Sequence, residues 1–471
     1  MCSPTLKIWH MRLWKLVLLS SILAVGSWLG WRFVNQSKTT LLALDTSTGK
    51  LQWIHPIKSQ IYSNGTIAAN GKVLLSFCQD KSAEQKNDRR QCSFYQLQAF
   101  DADSGRILWT YQPQGSDSGF ETAFNPSVIF QNNQLYIQVN NELRSLDPAT
   151  GQPRWATQHT GFDVRVVGNY DPQIVTLPNQ LATIDTVDKQ QRILKLLDPQ
   201  TGKPLQQITI LRDRLTSSTN LIAANNLSVF LATSGLIQLG ANEFYSNGRS
   251  TITAYDSKTG KPRFSTNIAG EIENMQVVQN TLQLKTYGTY DPLKKTFPYK
   301  SSFLAVDANT GRVLWQKPLS QIACADIGYS WRVDADSVYV NCNLYSQAPR
   351  GQDSSTIVAL SAQTGQIKWQ YQASPNLYSE FLPNVVSPEQ FLTFRKVTSG
   401  NSRQTQAIAL NRQTGKLLWS FALYSDRYVD KFRAIVATDS NRLFVLDFMP
   451  RWQIWLLQFN SDWYFQQPIQ P

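Results

Sequence analysis

The sequence has few of the residues from which metal and redox centres are built. Among 471 residues there are three histidines, His10, His55 and His159, and five cysteines. No Cys-x-x-Cys or Cys-x-x-Cys-His occurs, which excludes a thiolate zinc knuckle and attached c-type haem. A phosphate-binding P-loop and a G-x-S-x-G nucleophile elbow are also absent. The composition therefore predicts no catalytic residue and no metal site.

Charged residues are scarce as well, at 17%, and acidic ones are in deficit, with 33 Asp and Glu against 45 Lys and Arg. The low charge and the 42% of hydrophobic residues argue against disorder. A net charge of +12 is compatible with nucleic-acid binding. However, the basic residues are scattered rather than striped, so no nucleic-acid partner is expected. The milder interpretation is an affinity for anionic surfaces, such as lipid head groups or cell-wall polymers, which would depend strongly on salt.

Long apolar runs are limited to the N-terminus. Three basic residues, Lys7, Arg12 and Lys15, precede the run Leu16–Trp31, which predicts a transmembrane helix that acts as an uncleaved signal anchor within residues 1–34. The alternative is a cleaved signal peptide with a small-residue site at 24–26. Both interpretations place the remaining chain on the extracytoplasmic side of the cytoplasmic membrane, in the periplasm if anchored or secreted if cleaved.

The cysteine positions fit an exported protein. Cys78 and Cys92 flank a polar insertion, and Cys324 and Cys342 lie on either side of a predicted strand pair. Each pair is a candidate local disulfide, and Cys2 stays unpaired. The alternative is that the four residues are small buried hydrophobes.

The rest of the chain is dominated by a repeat. The segment LLALDTSTGKLQW at 41–53 returns seven times, starting at residues 97, 143, 194, 252, 303, 357 and 407. Each copy is an alternating apolar run, an Asp, a Thr-Gly turn and a strand that leads to Trp. Two further strand candidates fit within each interval. Four strands in each repeat of this length are typical of a propeller blade.

The repeated residues have structural roles. Glycine gives the turn its positive φ, and the Asp or Asn oxygen accepts hydrogen bonds from the turn backbone. The aromatic ring supplies apolar area between blades, and a small residue two positions before the Asp leaves room for it. The predicted docking residues are Trp53, Trp109, Trp155, Trp315, Trp369 and Trp419. Gln206 and Phe264 replace Trp in two copies, and Leu196 breaks the small-residue rule in the Gln206 copy.

The pattern A-x-D-x-x-T-G-x-x-x-W resembles the tryptophan-docking motif of PQQ-like repeat propellers. That family includes the quinoprotein alcohol dehydrogenases and the propeller lipoprotein of the outer-membrane β-barrel assembly machinery. The resemblance covers roughly residues 41–460 and implies that each Trp packs between neighbouring blades. The family's dehydrogenases have an adjacent Cys pair near their cofactor, and no two cysteines are adjacent here. The chain therefore resembles the non-catalytic scaffolds more than the dehydrogenases.

The predicted fold is all-β: an eight-bladed β-propeller of four-stranded antiparallel blades after an N-terminal transmembrane helix. The segment Leu41–Trp53 has no strands before it, so it is predicted to close the ring with strands from the other end of the chain, which removes two open edges. The predicted units are a cytoplasmic stub and anchor at 1–34, a linker at 35–40, the propeller at 41–466 and a tail at 467–471.

Long loops are expected on one face, among them 234–249 and 288–300, and long loops on a rigid scaffold are where binding sites usually lie. Tolerated insertion into solvent is the alternative. Two of these loops mix aromatic and basic residues, as protein interfaces do. The candidate interaction residues are Phe244, Tyr245, Arg249, Tyr290, Lys294, Lys295 and Tyr299.

The predicted function is a membrane-anchored, monomeric, non-catalytic scaffold that binds an envelope protein, with no cofactor. Resemblance adds envelope or outer-membrane protein assembly as the process, since function lies in sites carried by the fold rather than in the fold itself. The alternative is a PQQ-dependent dehydrogenase with calcium, or a small-ligand sensor, that uses the channel.

Overall fold

The repeat folds into eight four-stranded sheets. The computed structural model describes residues 37–57, 61–79, 94–112, 128–131, 133–139, 142–158, 174–186, 191–211, 221–238, 244–288, 300–322, 324, 326–343, 355–372, 385–399, 402–423, 436–439 and 441–450. Within these ranges there are 32 strands and a 3₁₀ helix at Leu319–Ile322, and every sheet is antiparallel.

Seven blades are meanders of consecutive strands. The first two strands of the chain, β1 (Ser37–Asp45) and β2 (Leu51–Pro56), belong to the eighth. Blade 1 contains β3 (Ile61–Ala69), β4 (Lys72–Gln79), β5 (Phe94–Asp101) and β6 (Ile107–Tyr111); blade 2 contains β7 (Val128–Gln131), β8 (Gln134–Val139), β9 (Glu142–Leu146) and β10 (Pro153–Gln158). Blade 3 contains β11 (Ile174–Leu177), β12 (Gln180–Thr186), β13 (Gln191–Leu197) and β14 (Pro204–Leu211); blade 4 contains β15 (Leu221–Ala224), β16 (Ser228–Gln238), β17 (Phe244–Asp256) and β18 (Pro262–Ala269).

The second half of the ring follows the same order. Blade 5 contains β19 (Glu271–Val278), β20 (Thr281–Tyr287), β21 (Ser302–Asp307) and β22 (Val313–Pro318); blade 6 contains β23 (Asp326–Val333), β24 (Ser337–Asn343), β25 (Ser355–Ser361) and β26 (Ile367–Gln372). Blade 7 contains β27 (Val385–Val386), β28 (Gln390–Ser399), β29 (Ser402–Asn411) and β30 (Leu417–Ala422), and β31 (Val436–Thr438) and β32 (Arg442–Pro450) start blade 8. The first strands of adjacent blades contact one another, as β15 and β19 do, so they surround the axis.

Blade 8 closes the ring in the way that the position of the first repeat predicts. Its strand order is β2-β1-β32-β31, so the two ends of the described chain share one sheet. β1 pairs with β32 without interruption from Ser37↔Pro450 to Asp45↔Arg442. The prediction of a closing blade is therefore confirmed. β1 already begins at Ser37, so the strand includes four residues of the predicted linker 35–40.

The hydrophobic core is divided among the junctions between blades. Eight clusters of buried residues occur, and each combines side chains from two neighbouring blades. The cluster between blades 7 and 8, for example, unites Phe394 and Trp419 with Leu42 and Val445. A sheet in a propeller is thus buried on both faces, which is why the strands contain runs such as LLAL rather than a strict apolar–polar alternation.

Each docking Trp reaches into the turn of the following blade. The indole Nε1 of Trp53 donates to the carbonyl of Ala102 at 2.9 Å, and its ring lies against Gly105. Trp419 repeats the contact across the closure, on Thr46 and Gly49. The same Nε1–carbonyl bond is made by Trp109, Trp155, Trp315 and Trp369. All six tryptophans thus contact the turn of the following blade.

In the two copies without Trp, another side chain occupies the position of the indole ring, and no indole N–H is present to bond the next turn. Gln206 occupies the ring position beside Gly260, and its cross-strand partner is Leu196, the residue that breaks the small-residue rule. Phe264 lies beside Gly311, where Thr266 Oγ1 donates to the carbonyl of Gly311 at 2.8 Å in place of an indole. The junctions between blades 3 and 4 and between blades 4 and 5 are therefore docked differently from the other six.

No helix of membrane-crossing length and hydrophobicity occurs in the ranges given above. The predicted anchor and cytoplasmic stub at 1–34 and the tail at 467–471 lie outside those ranges.

Candidate functional site

The two ends of the blades differ chemically. The turns between third and fourth strands lie at one end, called here the turn face, and the connections that lead into first and third strands lie at the other, called the loop face. On the turn face, Asp101 Oδ1 accepts hydrogen bonds from Ser104 Oγ at 2.6 Å and from Ser104 N at 2.8 Å. These bonds hold the pKa of Asp101 below its ordinary value. Asp45 is bonded to Ser47 and Thr48 in the same way.

The motif carboxylates therefore stabilise turns. In blade 2 the Arg154 guanidinium and the turn N–H groups of Ala149 and Thr150 lower the pKa of Asp147 to about 2. Within the ranges that the structure describes, no three His, Cys, Asp or Glu residues are close enough to hold a metal ion. Asp45 thus acts as the turn residue that the sequence predicts.

Ionic contacts on the turn face also join neighbouring blades. Arg412 of blade 7 binds Asp334 of blade 6, with 2.9 Å between Nε and Oδ2, and it also reaches Asp336 at 3.2 Å. Burial and the nearby Asp334 charge raise the pKa of Tyr339, which lies beside Arg412, to about 12. Arg442 of blade 8 contacts a blade 1 turn through Asp103. These contacts join neighbouring blades and so support the ring.

Three of the predicted interaction residues fall on the loop-face side of blade 4. Phe244, Tyr245 and Arg249 lie on β17, and Arg249 is exposed. Tyr290, Lys294, Lys295 and Tyr299 lie outside the described residues. The prediction that 234–249 is a loop is wrong at both ends of the segment, because β16 continues to Gln238 and β17 starts at Phe244. Both strands therefore continue through part of the segment that was expected to be a loop. Residues 239–243 lie outside the described residues.

The β16–β17 hairpin is longer than the blade that carries it. These strands pair as far as Gln238↔Phe244, whereas β15 pairs with β16 only up to Ala232 and β18 pairs with β17 only up to Arg249. Residues 233–238 and 244–247 therefore form a two-stranded extension, called here the blade-4 ribbon. Blade 7 has a comparable extension, in which β28 and β29 pair up to Ser399↔Ser402, but its sequence is polar.

A hydroxyl network fixes the base of the blade-4 ribbon. Ser250 Oγ donates to the carbonyl of Gly270 at 3.0 Å and accepts from the N–H of Ile272 at 2.9 Å, and Ser234 Oγ lies 3.1 Å away. Gly270 is the single residue between β18 and β19, and its φ of +99° requires glycine. Blades 4 and 5 are thus joined rigidly directly below the ribbon.

Blade 5 has a buried ion pair close to this joint. Glu273 Oε2 lies 2.6 Å from Lys285 Nζ, and the two side chains are only 7% and 3% exposed. Glu273 Oε1 accepts a hydrogen bond from the Tyr287 hydroxyl at 2.9 Å. Glu273 is the extra residue of a β-bulge in β19, and bulges often redirect a side chain next to a functional site. Sequence reasoning did not find this group, because its members are separated in the chain.

The cysteines divide into two cases. Cys324 and Cys342 form a disulfide that ties the connection before β23 to β24, with 4.9 Å between their Cα atoms. The backbone of Cys78 lies in β4, whereas Cys92 and Cys2 are outside the described residues. The Cys78–Cys92 bridge therefore stays a prediction.

The Cys324–Cys342 disulfide joins residues 18 positions apart, so it differs from the adjacent Cys pair that the resemblance to the dehydrogenases implies. That the protein uses no cofactor stays a prediction.

Among solved structures, BamB from Moraxella catarrhalis matches with 12% identity, a TM-score of 0.42 and coverage of 74% of this chain and 87% of that one. Quinohemoprotein alcohol dehydrogenase ADHIIG from Pseudomonas putida HK5 has 11% identity, a TM-score of 0.45 and coverage of 92% and 78%. Sqt1 from Saccharomyces cerevisiae has 10% identity, a TM-score of 0.46 and coverage of 83% and 97%.

No curated protein sequence matches the chain. A sequence family does match over most of its length, at residues 7–165, 189–376 and 299–451, and that family is described as outer membrane protein assembly factor BamB. The chain therefore belongs to this family of PQQ-like repeat propellers.

Proposed function

We propose that the protein is a membrane-anchored, extracytoplasmic scaffold that binds an envelope protein without catalysing a reaction, in outer-membrane or cell-envelope protein assembly. The family description supports the process. The observation that carries the binding role is the blade-4 ribbon, which extends past its blade on the loop face.

The ribbon has the chemistry of a strand acceptor. Beyond Ala232 and Arg249, neither β15 nor β18 pairs with it. A strand whose edge is not paired offers backbone N–H and C=O groups to an extended segment of another protein. The sequence of the ribbon adds aromatic residues at 244 and 245, which are enriched in interface cores. The polar blade-7 extension lacks that addition and serves as a control.

The position of Ser37 in the closing blade supports an orientation of the propeller in which the loop face lies towards the membrane. β1 runs from the loop face towards the turn at Asp45, so Ser37 lies at the loop face. Five residues, 32–36, separate the apolar run Leu16–Trp31 from Ser37. Five extended residues span at most about 18 Å. With that run in the membrane, the loop face is the membrane-proximal one, and the partner is a membrane protein or a protein held at the membrane surface.

A photo-crosslinking residue at Tyr245 in the full-length, membrane-inserted chain tests the proposal. We expect a crosslinked protein partner there and none from Gln404 in the blade-7 extension. Shortening the blade-4 ribbon by removing 236–247 should abolish the crosslinked complex, whereas removing 398–403 from blade 7 should leave it intact. A complex that survives loss of the blade-4 ribbon contradicts the proposed surface.

The dehydrogenase alternative is tested in the same preparation. Addition of PQQ and Ca²⁺ should give neither a bound-cofactor absorbance nor alcohol-dependent dye reduction. Substrate-dependent dye reduction would overturn the non-catalytic assignment.

A further inference from the structure

One aromatic side chain is exposed on the loop face of blade 5. Tyr287, the last residue of β20, is 39% exposed. No other Phe, Trp or Tyr whose side chain the structure describes is exposed to that degree. Tyrosine is enriched among the residues that contribute most to protein–protein binding, because its large ring has few rotatable bonds to fix. The exposure of Tyr287 therefore marks a candidate contact residue.

Tyr287 lies beside the base of the blade-4 ribbon. Gly270, the residue between β18 and β19, donates its N–H to the carbonyl of Gly248 at 2.7 Å. A Cβ added at Gly270 would lie 3.1 Å from the carbonyl oxygen of Tyr287, and the next residue, Glu271, is the cross-strand partner of Tyr287. Gly248 and Tyr287 are thus two strand spacings apart, or about 10 Å. A protein bound along the ribbon is within reach of this ring.

The buried ion pair of blade 5 fixes the Tyr287 ring. The tyrosine hydroxyl donates to Glu273 Oε1 at 2.9 Å, and Glu273 Oε2 lies 2.6 Å from Lys285 Nζ. Burying an ion pair is costly, and apolar residues of similar volume in its place often leave stability unchanged or raise it. Stability alone therefore does not explain the pair. Its bond to the hydroxyl holds the exposed ring in one orientation, which reduces the entropy that is lost on binding.

An apolar side chain is the contact that suits this ring. The π face of an aromatic ring is negative, which disfavours a carboxylate. A cation already lies over the ring, since Lys285 Nζ is 5.2 Å from its centroid. Lys300 is exposed nearby, next to Ser301, whose hydroxyl accepts a hydrogen bond from the N–H of Gly288 at 2.9 Å. A further cation is therefore disfavoured as well, and an aliphatic or proline side chain remains.

We propose that Tyr287 is a hot-spot residue of the surface that binds the envelope protein, and that it packs against an aliphatic or proline side chain of this partner. Glu273 and Lys285 are its positioning residues. The inference rests on the proposed scaffold function and extends the binding surface from the blade-4 ribbon to blade 5.

Photo-crosslinking in the full-length, membrane-inserted chain tests this surface. A photo-crosslinking residue at Tyr287 should trap the same protein, identified by mass spectrometry, as one at Tyr245. Leu314 is the matched control, because it also belongs to blade 5 and is 38% exposed but lies at the turn face, and it should trap none. An adduct at Tyr245 without the same adduct at Tyr287 would overturn this inference and leave the scaffold function in place. Loss of both adducts would overturn the scaffold function as well.

Substitutions test the ring while the photo-crosslinking residue stays at Tyr245. Tyr287→Ala should lower the yield of the Tyr245 adduct, measured below saturation, about tenfold, as truncation of a hot-spot side chain does. Leu314→Ala should leave that yield unchanged. Tyr287→Phe keeps the ring but not its bond to Glu273, so it should cause a smaller loss. An unchanged yield in Tyr287→Ala would overturn the hot-spot assignment.

The double variant Glu273→Met with Lys285→Met separates positioning from stability. It removes both charges together, so no unpaired charge stays buried and the unfolding temperature should not fall. The Tyr287 hydroxyl loses its acceptor, so the adduct yield should fall as far as in Tyr287→Phe. A merely structural role for the pair predicts the opposite, a lower unfolding temperature with an unchanged yield, and that result would overturn the positioning role.

Discussion

Gly105→Ala and Gly71→Ala together isolate the free energy of one Trp docking contact. The two glycines have nearly the same φ, +67° and +68°. A Cβ added at Gly71 meets no atom within 4 Å, whereas one added at Gly105 would lie 2.6 Å from the Trp53 ring. The backbone strain is therefore common to both variants, and the clash is specific to Gly105.

The expected magnitudes follow from these contacts. A side chain in the left-handed region costs roughly 1–2 kcal/mol, which is the whole effect at Gly71. At Gly105 the Trp53 ring must also retreat by nearly an ångström. Overpacking of this kind costs about 1–3 kcal/mol, and loss of the 2.9 Å bond from Trp53 Nε1 to the Ala102 carbonyl adds about 1 kcal/mol. Gly105→Ala should therefore be less stable than Gly71→Ala by about 2–4 kcal/mol.

Equilibrium urea unfolding of the two variants, followed by near-ultraviolet circular dichroism and by tryptophan fluorescence, measures the difference. Trp53→Phe provides a check, since a ring without an N–H removes the hydrogen bond but not the clash. Equal destabilisation by Gly105→Ala and Gly71→Ala would refute the reasoning, because it would mean that the glycine is required for its φ alone and not for the approach of the indole.

Three further outcomes are expected. Trp315→Ala should cost on the order of 3–5 kcal/mol in urea unfolding and Gln206→Ala much less, because the latter junction has no indole bond; equal losses would contradict the docking role. Asp101→Asn should be near neutral at pH 7 and Asp101→Ala should cost about 1 kcal/mol, since an amide oxygen still accepts the turn N–H groups. Folding lowers the pKa of Asp101, so its carboxylate stabilises the folded protein above the unfolded pKa of about 3.9, and this stabilisation is lost as the pH falls through the lower folded pKa. In Asp101→Asn, the free energy of unfolding should therefore depend less on pH below about pH 4. Cys342→Ser, or reduction of the bond to Cys324, should cost about 3 kcal/mol for a loop of 18 residues, seen as a lower unfolding temperature under reducing conditions.

The fold could be predicted because the repeat records contacts that recur in every blade. Ala43 and Trp53 are cross-strand partners, as are Ala99 and Trp109, so the small residue and the ring had to vary together. Leu196 and Gln206 are cross-strand partners too, so the copy that loses the small residue also loses the ring. Ring closure was predictable for a related reason. The first repeat supplies only the third and fourth strands of a blade, so the first and second strands of that blade must come from the other end of the chain.

The candidate site was less accessible to sequence reasoning, since it depends on features that do not repeat. The segment 234–249 has Gly and polar residues that are typical of a loop, but pairing within the hairpin extends both strands through them. Glu273 and Lys285 come together only through a bulge and strand pairing. One signal was available: in Leu282–Tyr287 polar residues alternate with leucine, although a second strand of a propeller is buried on both faces.

The departures from the Trp docking position lie next to one another in the ring. Gln206 and Phe264 replace the indole at the two junctions on either side of blade 4, and the next blade, blade 5, contains the buried Glu273–Lys285 pair. The blade-4 ribbon and the single-residue connection through Gly270 belong to the same part of the ring. Local violations of an otherwise consistent pattern concentrate at functional sites. The six other junctions, where the indole contact is present, supply the rigid ring on which such a site can be carried.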